Sequence, residues 1–188
     1  MKYMAALKEW ASAVEAFRKG ESILSLRKGG IREETRDFEL TSDSFYFFPT
    51  YEHQKEHLVK EAYRHYVAET KRSDAGTDTV QISLWAEVTD DILIQDENRL
   101  RLLSPFHIWT DHYAEERLHW RKTKPLHALL LRVYMLETPF ILSDLSQFSG
   151  CKSWLNIPSP HETVIRRPVL SDEDYTAMAK KIRSALGL

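Results

Sequence analysis

Hydrophobic positions recur along the chain in two rhythms. Between residues 7 and 17 they fall at helical spacing. Leu7, Trp10, Val14 and Phe17 share one stripe while Lys8, Glu9, Ser12 and Glu15 lie largely off it, which predicts an amphipathic helix stopped by Gly20. Residues 22–28 alternate, with Leu24 and Leu26 opposite Ser25 and Arg27, and predict a strand that ends at the Gly29-Gly30 turn. Short strands are expected at 38–40 and 44–48, the second ended by Pro49. Thr50 reads as an N-cap, and the spacing of Leu58, Val59, Ala62, Tyr63, Tyr66 and Val67 predicts a helix from Tyr51 to about Glu69.

The polar stretch 70–79 is a candidate subdomain break. A strand is expected at 80–88, then a turn at Asp90-Asp91 and a short extended segment at 92–95. After Pro105, residues 106–120 read as a helix in which Tyr113, Leu118 and Trp120 are core positions. Residues 126–136 form the most apolar strand in the chain. Residues 149–160 read mostly as loop, and 156–167 as a surface strap. Ser171 caps a last helix carrying Tyr175, Met178, Ile182 and Leu186. Helices and strands are interspersed without a βαβ repeat. The expectation is α+β: a single compact domain over residues 1–188, with a mixed or mostly antiparallel sheet and flanking helices.

Composition narrows the class. The 188 residues are 43% hydrophobic, and 26 Lys+Arg stand against 28 Asp+Glu for a net charge of −2, so any nucleic-acid contact must come from a local basic patch. A single cysteine, Cys151, excludes an internal disulfide and is read as a structural thiol. There is no apolar run long enough to span a bilayer and no secretory leader, which gives the expectation of a cytoplasmic protein with no membrane partner.

Four segments carry candidate chemistry. Arg27 and Lys28 at a strand end beside Gly29 and Gly30 suit an anion site, or simply a solvated turn, and Glu33 beside Glu34 is a weak metal pair. His53 and His57, spaced i, i+4, would share a helix face, and His53 with Glu52 and His107 is a candidate acid–base or metal set. The HExxH pattern fails because Gln54 follows His53. Trp109, Tyr113 and Arg117 approach one helix face and suit base stacking, or a buried aromatic stripe. Lys122 and Lys124 lie in the densest basic loop, followed by His127 and Arg132; an arginine in so apolar a strand needs a specific partner. The one ExK sequence, at 69–71, falls at a helix end rather than on a nuclease strand.

The strings ALKEW at 6–10, LRKGGI at 26–31, PTYEHQ at 49–54, HIW at 107–109, PLH at 125–127, LRVY at 131–134 and GCKSW at 150–154 resemble the bacterial and archaeal DUF1802 family of uncharacterised proteins. That resemblance covers nearly the whole chain and implies no particular activity. The helix before Gly20 and the strand leading to Arg27 are also similar to ASCH and PUA-like domains. Ser22 stands where that pattern has lysine and Ser25 where it has glutamate. The second resemblance implies a PUA-like barrel that binds RNA or a modified base, with Arg27 and Lys28 at the pocket edge. Three functions stay open: a nucleic-acid or nucleotide-binding domain, a metal-assisted phosphodiester or nucleotide hydrolase, and a protein-interaction module. A homodimer is compatible with each. Cofactor and metal are unknown.

Overall fold

The computed structural model describes residues 2–28, 38–73, 78–120, 124–150, 152–160 and 163–188. Gly29, Gly30, Glu33, Lys122 and Cys151 lie outside the described residues, as does 74–77 within the candidate break. The elements are β1 (Lys2–Trp10), α1 (Ala11–Arg18), β2 (Leu24–Arg27), β3 (Ser44–Thr50), α2 (Arg64–Ser73), β4 (Thr79–Ile94), α3 (Glu97–Leu102), α4 (Asp111–His119), β5 (Leu126–Ser143), β6 (Trp154–Ser159), β7 (Arg166–Pro168) and α5 (Asp172–Ala185). The strands form one mixed sheet in the order β2-β5-β4-β3-β1-β6, with β7 also paired to β5. The β1–β3 pairing is parallel and the others are antiparallel. The fold is α+β, as expected. The sheet does not close into a backbone-paired barrel, because β2 and β6 stand at the two ends of its strand order.

The helix expected from Leu7 to Phe17 is half strand. Ala6 and Leu7 are both fully buried but belong to different cores on opposite faces, a period of two that only an extended chain provides. Helix α1 begins at Ala11, so the helical stripe was a coincidence of spacing across a strand–helix junction. The same two-faced burial runs through β3. Phe45 and Phe47 pack with Leu84, Val67 and Leu129 in the main core, whereas Tyr46 and Phe48 pack with Ile82, Trp85 and Ile157 in the second. Residues 38–40 are irregular rather than a strand, although Phe38 is buried.

The helix expected from Tyr51 starts only at Arg64. Residues 51–63 instead form two short 3-10 turns whose backbone bonds go elsewhere. Lys60 N–H donates to Ile108 O at 2.8 Å and Thr110 N–H to Leu58 O at 3.0 Å, making an antiparallel bridge between Val59 and Trp109. Gln54 turns inward, accepting from Ser12 N–H at 2.8 Å and donating to Thr70 Oγ1 at 3.1 Å.

Strand β4 runs unbroken through the acidic pair read as a turn, with a bulge between Val88 and Asp90. Asp90 is held by Arg183 of α5 at 2.6 and 3.0 Å, and Asp91 by His127. Strand β5 continues past Leu136 to Ser143. It carries Pro139 opposite the irregularity between Ile82 and Leu84, where no ladder donor is needed. Residues 154–159, expected to be loop, form edge strand β6, whose Ile157 is fully buried; an edge tolerates Pro158. Within residues 106–120, Phe106 closes a 3-10 turn (Ser104–Phe106), 107–110 are irregular, and only Asp111–His119 form α4, capped by Thr110.

Candidate functional site

The sheet curls until its ends meet through side chains. Glu9, on β1, reaches β2 although the two strands are not paired. Its Oε2 accepts from Ser25 Oγ at 3.1 Å and lies 3.4 Å from Arg27 Nη1, and its Oε1 accepts from Trp10 N–H at 2.9 Å. Arg27 Nη2 donates to Ser153 Oγ at 2.9 Å, and the backbone O of Ser153 accepts from Lys8 N–H at 2.8 Å. Glu9, Ser25 and Arg27 are all buried, so the charges are traded inside the fold rather than with solvent. Arg27 also lies over the Phe38 ring at 5.6 Å.

Lys28 follows at the end of β2 and is 5% exposed. Its Nζ donates to the carbonyl of Leu118, in the last turn of α4. Arg117, one residue earlier, donates from Nη1 to Tyr113 Oη at 3.0 Å and lies over that ring at 5.6 Å; its Nε is buried without a partner. Burial, and then the neighbouring positive charge of Arg117, hold the Lys28 ammonium below the usual lysine range. Both cations therefore rest on neutral groups, a carbonyl and a phenol. Tyr113 belongs to an aromatic cluster with Trp109 and Trp10: Trp10 and Trp109 meet edge-on at 5.0 Å, and Trp10 stacks on Tyr113 at 6.0 Å.

Trp120, expected in the core, is instead 41% exposed where α4 ends. Lys124 is exposed just before β5. His127 pairs with Arg27 in the β2–β5 ladder, lies 2.8 Å from Asp91 through Nδ1, and meets Phe38 edge-on at 5.2 Å. Arg27, Lys28, Arg117, His127 and Lys124 are thus brought to one end of the fold, where β2, the start of β5 and the end of α4 converge, while Trp109 lies before the start of α4.

Arg132 is not with them. It donates to Asp172 Oδ1 at 2.7 Å and lies over Tyr175 at 4.9 Å, so the specific partner its strand position demands is helix α5. The described members of the acid–base set have different surroundings. Glu52 and His53 are exposed on the turn after β3, with His53 at φ 71°, and no helix puts His53 and His57 on one face. His107 is buried, its Nδ1 has no partner, and burial followed by the nearby Lys60 charge pushes it down to about 4. No hydrogen bond or ion pair links His53 to His107. Among the described residues no three His, Cys, Asp or Glu side chains gather as a metal-binding group.

Sequence reasoning missed Glu9 and Ser153. The signal for Glu9 was indirect: a serine and an arginine on one face of a buried strand need a carboxylate.

Fold and site together define an α+β domain whose curled sheet is bridged at its ends by an internal ion pair beside a cationic, aromatic-lined corner. The chain belongs to the DUF1802 family, a domain of unknown function, whose model matches residues 6–181. Among solved structures, the crystal structure of a mutant ZmASCH protein from Zymomonas mobilis is similar at 13% identity and a TM-score of 0.42, covering 94% of each chain. No curated protein matches the chain. Among the described residues, no helix is long and apolar enough to cross a membrane.

Proposed function

We propose that this domain binds nucleic acid or a nucleotide at the corner formed by Lys28, Arg117, Trp120 and Lys124. One observation carries the reading: Lys28 and Arg117 are brought side by side with only neutral partners, while the buried carboxylate nearby, Glu9, is spent on Arg27. Two adjacent cations that lack counter-charge among the described residues are costly unless an anion completes the site. Phosphate is an anion whose oxygens suit ammonium and guanidinium donors, and the exposed Trp120 ring is available to a base.

The test is anisotropy of labelled single- and double-stranded RNA and DNA, at low and at physiological salt. Affinity should fall linearly on a log–log salt plot, and Arg117→Gln should lower the slope by about one unit, the share of one phosphate contact. Salt-insensitive binding, or no binding to any polymer or nucleotide at low salt, would turn attention to the protein-interaction reading.

A further inference from the structure

Resting on that reading, we infer that the corner selects a phosphomonoester: the doubly charged terminal phosphate of a nucleotide or of a nucleic-acid end, in preference to the singly charged phosphodiester inside a strand. Charge matching is the first argument. Arg27 is neutralised by Glu9 at 3.4 Å, and His127 is paired with Asp91 at 2.8 Å. Lys28 and Arg117 rest on a carbonyl and a phenol instead. Two such positive charges match a dianion, whereas a phosphodiester would satisfy one and leave the other set against its like.

Access is the second argument. Lys28 is 5% exposed, set behind the last turn of α4. An internal phosphate carries a sugar on both sides, so the strand would have to enter and leave through that depth. A terminal phosphate hangs from a single sugar and can reach inward while the rest of the ligand stays outside. Donor supply is the third. Arg117 Nε is buried and unpartnered, and the Lys28 ammonium has three N–H groups, of which one is directed to Leu118 O. A monoester presents three oxygens free of carbon, one more than a diester, and so can meet more of these donors. The base of such a ligand would lie toward Trp120, two residues beyond Leu118.

Short RNA and DNA strands carrying a 3′ fluorophore, identical except for a 5′-phosphate or a 5′-hydroxyl, test this directly, and a matched 3′-phosphate pair with the dye at the 5′ end covers the other terminus. At pH 7.5 one phosphorylated form should bind at least about tenfold tighter than its hydroxyl counterpart, the scale of one charge-assisted contact. At pH 5 the terminal phosphate loses its second charge and the preference should shrink to a few-fold. Arg117→Gln, checked for an unchanged thermal midpoint, should bring the phosphorylated and hydroxyl strands to the same affinity. Competition by adenosine monophosphate against the phosphorylated strand separates a free nucleotide from a polymer end as the source of the group. Equal affinity for phosphorylated and hydroxyl strands, at either terminus, overturns the monoester assignment while nucleic-acid binding stands. No binding of strand, nucleotide or inorganic phosphate at low salt overturns both.

Discussion

Glu9 and Arg27 join two strands that share no backbone hydrogen bond. The carboxylate on β1 lies 3.4 Å from the guanidinium on β2, and the two strands stand well apart in the sheet order. With Ser25 and Ser153 they form the side-chain seam that holds the curled sheet where a closed barrel would have a ladder. A seam of this kind is costly to break from one side, because the surviving charge is left buried.

Removing Glu9 alone should therefore be more damaging than removing the pair. Glu9→Leu is expected to cost about 3–5 kcal/mol, the range for stripping one partner from a buried ion pair. Glu9→Leu combined with Arg27→Met should cost much less than the sum of the two single changes. Urea denaturation of the four proteins in the cycle measures this. Additive single effects would mean that the two side chains act separately and that their pairing does not hold the seam.

Lys28 gives a stability curve with a pH signature. Its folded-state pKa is depressed by burial and by Arg117, so between that pKa and the unfolded value of 10.5 the unfolded chain binds more protons. Stability should rise with pH through that window. Lys28→Met removes the penalty of the buried charge, but takes a donor from the Leu118 carbonyl at about 1 kcal/mol. The variant should then gain on the parent near neutral pH and fall behind it toward pH 10.5, while losing salt-dependent binding of nucleic acid. Chemical melts across that range decide it. A constant difference between the two proteins would show that the lysine titrates as it does in water.

His107 works in the opposite pH range. It is buried and held down at about 4, against 6.5 when exposed; burial and Lys60 lower it, while Asp111 and the backbone bond to Trp109 raise it by less. The neutral ring is the native form. Stability is complete above pH 6.5 and is lost as pH falls toward 4, by about 3 kcal/mol in all. His107→Gln should flatten this part of the acid limb without changing stability above pH 7 by a similar amount. A parent and variant that lose stability in parallel between pH 6.5 and 4 would place the titrating group elsewhere. His107 is therefore expected to report on folding in the acid range.

The sequence displayed elements whose signals are local. The Ser171 cap is seen in the structure, its hydroxyl accepting from Asp174 N–H at 3.0 Å. Strands β2 and β3 and the start of β5 lie where alternation or apolar runs predicted them. What stayed hidden depends on distant partners. Glu9 looked solvated because Leu7, Trp10, Val14 and Phe17 imitate a helix stripe, yet only the pairing of β1 with both β3 and β6 makes that segment a strand. Val59 has helical neighbours in sequence, but its local chain is drawn out by the bridge to Trp109. Arg132 was legible as an arginine in need of a partner. That the partner is Asp172, forty residues later, was not. The basic and aromatic residues of the corner were legible one by one; their convergence required the curl of the sheet.

Gly20 tests how the end of α1 is packed. It sits at φ +70°, and a Cβ built there would lie 2.6 Å from Leu170 Cδ2, in the segment leading into α5. Gly20→Ala thus meets two separate obstacles. The left-handed backbone costs an alanine about 1–2 kcal/mol, and the clash adds the cost of moving Leu170. Leu170 is a flexible side chain at a half-buried position, so it can yield in part. Combining Gly20→Ala with Leu170→Ala should relieve the clash and leave the backbone cost. The double variant should therefore be less unstable than the sum of its parts, yet still below Leu170→Ala alone. Thermal melts of the three variants and the parent give both numbers. If Gly20→Ala is neutral, the chain after α1 has an alternative exit, and the hydrogen bond from Gly20 N–H to Phe17 O at 3.0 Å is not what stops the helix.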